Sequence, residues 1–408
     1  MAAPSVSVMA EWGLSFRGGR SALALFAAAI TASIAPARAA EPYEINVILS
    51  LTGNIAFVGS TQQRALKALE NYVNGTGGIA GRPMTFVIAD DQSSAQTAVQ
   101  LGQDIIAKNV PVILGSSGPA SCAAVAPLVA RDGPVLYCLA NGGNVVPGSY
   151  EFFTLMSYEA QLAVSVRYFR ERGLTRIASI FSTDAGGQGA EKALQAALAR
   201  PENKSLELVA REHFSPGDVS AAAQIAAIKG ANPAALVAWA TGSPAGMLFR
   251  SARDLGLDLP TVTSPGNLTE AFFKQYAAML PPQLIFPAVP YYANGASTDQ
   301  ATTAALQALT HALAAANSKP DMIAISAWDP GMLVVDALRK LGPGVSPARL
   351  RDYLASLKGW VGADGPYDFG AVPQRGVGEN NVVMARWDME RGTGVAVSNF
   401  GGAPLAGK

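Results

Sequence analysis

Histidine and cysteine are almost absent from this 408-residue chain, which has two of each. Metal sites need clustered His, Cys or carboxylates, and a serine-hydrolase site needs a histidine base. Neither His213 nor His311 falls in a turn at the end of a predicted strand. A Gly-x-x-x-x-Gly-Lys-Ser/Thr phosphate loop is missing, as is a dinucleotide fingerprint with its acidic partner. No enzyme activity, metal or cofactor is therefore expected. Charge of one sign is also lacking. Thirty Lys and Arg against thirty Asp and Glu leave a formal net charge of zero, so nothing recommends a nucleic acid or an anionic membrane as partner. Beyond residue 40 no run is apolar enough to cross a bilayer. What the chain does have is apolar bulk, 50% of its residues, enough for the cores of two or more domains.

Residues 1–40 read as an export signal. Arg17 and Arg20 precede the apolar run Ser21–Pro36, and Ala37-Arg38-Ala39 puts small residues where a signal peptidase needs them. The polar stretch ahead of Arg17 leaves Met1 or Met9 open as the start. The mature protein is expected in the periplasm, without stable membrane insertion. An oxidising compartment gives meaning to the two cysteines. Cys122 falls at the start of a predicted helix and Cys138 at the end of the next predicted strand, two places that adjoin across a parallel βαβ edge. They are expected to form a disulfide; two buried free thiols are the alternative.

The stretch Pro111–Gly143 reads as strand, Gly-Ser turn, helix opening at Ser121, strand and Gly-rich turn. The same alternation precedes it, with strands at Ile45–Leu49 and Met84–Ala89 and helices at 59–74 and Ala95–Lys108. It restarts after Tyr150, with strands at Ile177–Phe181, Leu206–Val209, Ala235–Trp239, Thr261–Thr263 and Leu284–Val289. Such alternation predicts an α/β protein of two doubly wound parallel sheets. Ligands of such sheets collect at the carboxyl ends of the strands.

This order of motifs resembles one family. Leu51-Thr52-Gly53 with Gly59, Gly77-Gly78-Ile79 with Gly81-Arg82-Pro83, Asp90-Asp91, Gly115 with Ala126-Pro127, Gly187-Gln188-Gly189 and Ala327-Trp328-Asp329 follow one another. Their order is similar to that in the periplasmic substrate-binding proteins of branched-chain amino acid type ABC transporters, the Leu-Ile-Val-binding protein family with the type I periplasmic binding protein fold. The resemblance implies two lobes, 41–157 with 290–360 and 158–289 with 361–408, joined by a three-stranded hinge. It implies a monomer that closes on a small solute and delivers it to the permease and ATPase subunits of an importer at the inner membrane. A periplasmic sensor reporting to a signalling partner would look the same.

By that resemblance the first lobe contacts ligand through Phe57, Ser117, Gly118, Pro119, Ala140, Asn141 and Gly142. The second lobe does so through Asp184, Ala185, Gly186, Trp239, Thr241 and Asn267. Ser116, Ser117 and the N–H groups from Gly118 to Cys122 are expected to favour a carboxylate at the start of a helix, with Ser121 as cap of that helix the competing reading. Where amino acid binders of the family place a carboxylate for the ammonium, this chain reads Ser264-Pro265-Gly266-Asn267. The expected ligand is therefore a small carboxylate, an aromatic or other hydrophobic acid, rather than a branched-chain amino acid. Asp184 keeps an amino acid or amide open, or else caps its helix. Trp239 reads equally as site or core, Tyr291 as a lesser candidate, and Asp90 and Asp91 as caps of the following helix.

Overall fold

The computed structural model describes residues 41–140, 142–143, 145–294, 296 and 298–405. The export-signal reading of 1–40, the choice of Met1 or Met9, and Asn141 lie outside the described residues. Among the described residues no helix is long and apolar enough to cross a membrane.

The first half alternates strand and helix: β1 (Tyr43–Leu49), α1 (Ala56–Gly75), β2 (Met84–Asp90), α2 (Ala95–Ile106), β3 (Val112–Leu114), α3 (Pro119–Val129), β4 (Val135–Cys138) and β5 (Glu151–Phe153). The strands form one parallel sheet in the order β2-β1-β3-β4-β5. Its interior runs such as Val47–Leu49 and Val112–Leu114 are apolar throughout and buried, as strands covered on both faces must be. Then come α4 (Tyr158–Arg170), β6 (Arg176–Ser182), α5 (Ala185–Leu198), β7 (Glu207–Phe214), α6 (Ala222–Gly230), β8 (Ala235–Trp239), α7 (Ser243–Asp254), β9 (Thr261–Thr263), α8 (Glu270–Tyr276) and β10 (Leu284–Ala288).

The remaining elements are α9 (Gln300–Ala315), α10 (Met322–Leu341), α11 (Pro347–Ser356), the hairpin of β11 (Lys358–Gly362) and β12 (Gly365–Asp368), β13 (Val383–Asp388) and β14 (Thr393–Phe400). The second sheet has the order β14-β13-β10-β9-β8-β6-β7. Its β7-β6-β8-β9-β10 portion is parallel, and β13 and β14 extend it as antiparallel strands. The sequence predicts one strand in the tail, at Asn381–Trp387; β5, β14 and the β11–β12 hairpin go beyond that expectation.

Buried polar side chains brace α10, the β11–β12 hairpin and the chain ahead of α4. The Arg375 guanidinium donates to the carbonyls of Thr154 and Leu155 at 2.9 and 3.0 Å, just before α4. On α10, the Asp329 carboxylate accepts from the N–H groups of Ala363 and Asp364 and from the Tyr367 hydroxyl, at 2.9, 2.8 and 3.1 Å. Burial pushes the Asp329 carboxyl up to about 6, against the lowering effect of those three bonds.

Candidate functional site

Parallel strands leave their carboxyl ends on one edge. Here the ends of β1, β3 and β4 and those of β6, β8 and β9 border one cavity of about 600 Å³. The turns after β1, β3, β6 and β8 lead directly into helices, so the first turns of α1, α3, α5 and α7 all line it, joined by Met322, Ile323 and Ser326 from the start of α10. The first turn of a helix carries unsatisfied N–H donors and the positive end of its dipole. Among the described residues the lining includes one carboxylate, Asp184, and no Lys, Arg or His.

On the first-sheet side, the Asp90 carboxylate accepts from the N–H groups of Leu51 (2.8 Å) and Thr52 (3.2 Å) and from the Thr52 hydroxyl (2.8 Å). Burial raises its pKa, but these bonds and one from the Gln92 N–H outweigh that and hold it below its ordinary value. Asp91, fully buried, accepts from the Ser93 N–H at 2.9 Å and from the Ser116 hydroxyl. These aspartates therefore staple turns together. The cap of α2 is Ser94, whose hydroxyl accepts from Thr97 N–H at 3.3 Å. Ser117 lines the cavity and its oxygen accepts from Ser50 N–H at 3.1 Å.

Helix α3 begins at Pro119 with Gly118 as its cap residue, two residues ahead of the expected start. A proline at the first helical position has its φ set in advance and gives up only an N–H that the helix would not use. Ser121 thus lies inside the first turn and does not cap. The anion donors narrow as well: Pro119 has no N–H, and the Cys122 N–H donates to the Gly118 carbonyl at 3.0 Å. Ala120 and Ser121 remain as the positions whose N–H groups have no helical acceptor. Cys122 and Cys138 are joined by a disulfide, their Cα atoms 6.0 Å apart, and pack with Ala140 and Phe153 in a small apolar cluster.

On the second-sheet side, Asp184 does two things: it caps α5, accepting from Gly187 N–H at 2.8 Å, and it lines the cavity. Trp239, 2% exposed at the end of β8, is core and lining together. Its ring meets that of Tyr158 edge-on, centroids 6.3 Å apart. Thr241 lines the cavity, its hydroxyl 3.0 Å from that of Ser264. A methyl at Gly186 would approach Asp184 Oδ1 and the Tyr158 hydroxyl at 3.3 and 3.5 Å, so glycine there leaves room.

Of the expected residues, Phe57, Ser117, Pro119, Ala140, Asp184, Ala185, Gly186, Trp239 and Thr241 share this cavity. Gly118, Gly142 and Asn267 do not line it. Asn267 is instead a buried brace: its Oδ1 accepts from Gly242 N–H at 2.9 Å and its Nδ2 donates to the Ala240 carbonyl at 2.8 Å. Tyr291 borders a different cavity. His213 pairs with Glu191 at 2.9 Å, and His311 borders a further cavity near α9. Among the described residues no group of three or more His, Cys, Asp or Glu could hold a metal.

Sequence reasoning missed Tyr158 and Gln62. Burial pushes the Tyr158 hydroxyl up to about 12, with the Asp184 charge adding to that and Arg375 opposing it, so it is a donor at neutral pH. Gln62 is fully buried; its Nε2 donates to the Leu139 carbonyl (2.7 Å) and the Ser326 hydroxyl (2.9 Å), and its Oε1 has no partner among the described residues. A signal existed. Gln62 falls three and four residues ahead of Ala65 and Leu66, on the apolar face of α1, where a polar side chain needs a reason.

A family profile described as periplasmic binding protein matches residues 42–393. Leu/Ile/Val-binding protein homolog 3 of Brucella melitensis is 23% identical over 218 residues, 52% of this chain; the match spans 58% of that relative's length. The solved structure of the branched-chain amino acid transporter substrate binding protein LivJ of Streptococcus pneumoniae, in complex with isoleucine, superposes with a TM-score of 0.70 at 22% identity, covering 87% of this chain and 98% of that one. An extracellular ligand-binding receptor of Rhodopseudomonas palustris HaA2 gives 0.74 at 21% identity, with 87% and 99% covered. A periplasmic binding protein type 1 of Bordetella pertussis Tohama I gives 0.73 at 20%, also with 87% and 99% covered. At such identities the solved structures speak to the fold.

Proposed function

The chain belongs to the periplasmic binding protein family, a family of binding proteins and not of enzymes, and from that premise we propose that it captures a small carboxylate for an ABC importer. In this reading it works in the periplasm as a monomer. Its lobes, 41–157 with 290–360 and 158–289 with 361–408, close on the solute and present it to the permease. The observation that carries the reading is the convergence of helix first turns on a cavity whose lining, among the described residues, has no cationic side chain. An anion is stabilised there by dipoles and N–H donors without a salt bridge, with the Ser117 and Tyr158 hydroxyls as further donors.

The ligand we favour is an aromatic or other hydrophobic acid without an α-ammonium. A buried ammonium without a counter-charge costs several kcal/mol, and the turn of Ser264 and Gly266 brings no carboxylate to the cavity. Trp239, Tyr158 and Phe57 supply flat apolar walls. One observation favours a second reading, an amino acid: Asp184 is in the lining. Calorimetry of the mature protein with benzoate, 4-hydroxybenzoate, leucine and isoleucine decides between them. Benzoate-type acids are expected to bind, and Asp184→Asn to leave them bound, since asparagine also caps helices. Tight leucine binding that Asp184→Asn abolishes, with benzoate inert, would overturn the acid reading.

A further inference from the structure

The second-sheet wall of the cleft holds a tyrosine and a carboxylate over a strip of glycine. Tyr158 opens α4, and its ring lies on α5 at Gly189, where a methyl would come within 2.9 and 3.0 Å of the Cδ2 and Cε2 atoms. Trp239 meets the same ring edge-on. Gly186 and Gly189 are three residues apart and so share one face of α5. Glycine inside a helix costs stability, and here it lets a ring settle on the helix backbone. The point above Gly186 that a methyl would fill is 3.3 Å from Asp184 Oδ1 and 3.5 Å from the Tyr158 hydroxyl. Both residues line the cleft. The Tyr158 hydroxyl makes no hydrogen bond among the described residues. Burial keeps its proton on at neutral pH, so it is free to donate. Asp184 Oδ1 accepts from the Gly187 N–H and, as a carboxylate oxygen, can accept once more. Among the described residues the lining brings no cation to this carboxylate.

We infer that this corner reads a hydroxyl on the ligand, so that the solute is a hydroxy acid. A hydroxyl donates and accepts at once, and its two neighbours offer one of each: it donates to Asp184 Oδ1 and accepts from the Tyr158 O–H. A second carboxylate there would face the Asp184 charge with no cation between them. A bare ring edge would strip water from both groups and give no bond in exchange. The inference rests on the carboxylate reading of the cleft and deepens it. It leaves the acid's carboxylate to the α3 N–H groups and Ser117, and gives the Tyr158 hydroxyl to the ligand's own hydroxyl.

Calorimetry on the mature protein tests it, with benzoate, its 3- and 4-hydroxy derivatives and the matching methoxy derivatives. One hydroxybenzoate is expected to bind about tenfold tighter than benzoate or more, the effect of a charge-assisted bond. Its methoxy counterpart, which cannot donate, is expected to lose that gain. Tyr158→Phe and Asp184→Asn, the second keeping its helix cap, are each expected to reduce the ratio of hydroxybenzoate to benzoate affinity severalfold. A residue that only holds the wall in shape would weaken both acids together and leave that ratio unchanged. Benzoate binding as tightly as both hydroxybenzoates would overturn the inference and leave the cleft reading intact. So would a methoxy acid that matches its hydroxy counterpart, or a ratio that survives in both variants. If none of these acids binds, or leucine alone binds, the cleft reading falls and the inference with it.

Discussion

On the first-sheet side of the cleft Gly59 lets α1 lie against the Ser50 carbonyl, and on the second-sheet side Gly187 lets α5 lie against the Ser182 carbonyl; a methyl at either glycine would overlap that oxygen. Both serine hydroxyls lack a partner among the described residues. The two walls thus use the same strand–turn–helix joint, but their bracing differs. On the first wall the braces run between turns. Asp90 holds Leu51 and Thr52, Asp91 holds Ser116, Ser117 holds Ser50, and a disulfide ties α3 to the end of β4. On the second wall the braces are more local. Asp184 caps its own helix, and Asn267 and Ser264 hold only the neighbouring turn. In the reading proposed above, the first wall is a preformed cradle for the ligand's carboxylate, and the second, where one turn caps its own helix and two others brace each other, sets specificity through individual side chains.

The largest expected effect tests the shared joint. Gly59→Val and Gly187→Val should each cost about 3 kcal/mol or more, because the clash is with backbone that cannot rotate away. Urea unfolding measures both, and tolerance of one alone would break the symmetry between the walls. The next effect tests the difference. Replacing Cys122 and Cys138 by serine should cost about 3 kcal/mol or somewhat less, the value of closing a loop of this length. Hydrogen exchange should rise around residues 115–122 and stay unchanged around 240–267; a rise on both sides would mean that the walls are not braced independently.

The smallest effect concerns two buried acids, Asp329 one turn beyond Ser326 on α10 and Asp364 in the turn of the β11–β12 hairpin. Burial and the Asp329 charge push the Asp364 carboxyl well up, against the opposing charge of Arg375, and neither Asp364 oxygen has a partner among the described residues. Asp329 is raised to about 6. Both groups bind protons more readily in the folded chain than in the unfolded one, where carboxylates titrate near 4. Their contribution to stability is therefore complete below about pH 4 and is lost as pH rises, for Asp329 as it climbs through about 6. Asp364→Asn should flatten the pH dependence of the urea midpoint over that range. An unchanged slope would remove these acids as its source.

Much of the fold was legible because its signals are local. Apolar runs such as Val112–Leu114 and Ala235–Trp239 mark the strands to the residue, and glycine turns mark where helices start. The candidate site was legible to the extent that it sits on those turns. Where reading failed, it failed on partners. Asp90 and Asp91 read as caps because Ser and Ala follow them, yet Asp90 bonds Leu51 and Thr52 and Asp91 bonds Ser116. Asn267 read as a ligand contact and is a brace. Tyr158 and Gln62 carried no turn signal and line the cleft all the same.

By itself the sequence determined the alternation of strand and helix, the two sheets and the strand-end edge where a solute would sit. Hydrophobic periodicity and glycine need only a few neighbouring residues to act. Only the tertiary structure decided which polar groups meet. A hydrogen bond acts over about 3 Å, so whether Gln62 faces Ser326, or Asp91 faces Ser116, depends on packing that brings distant parts of the chain together.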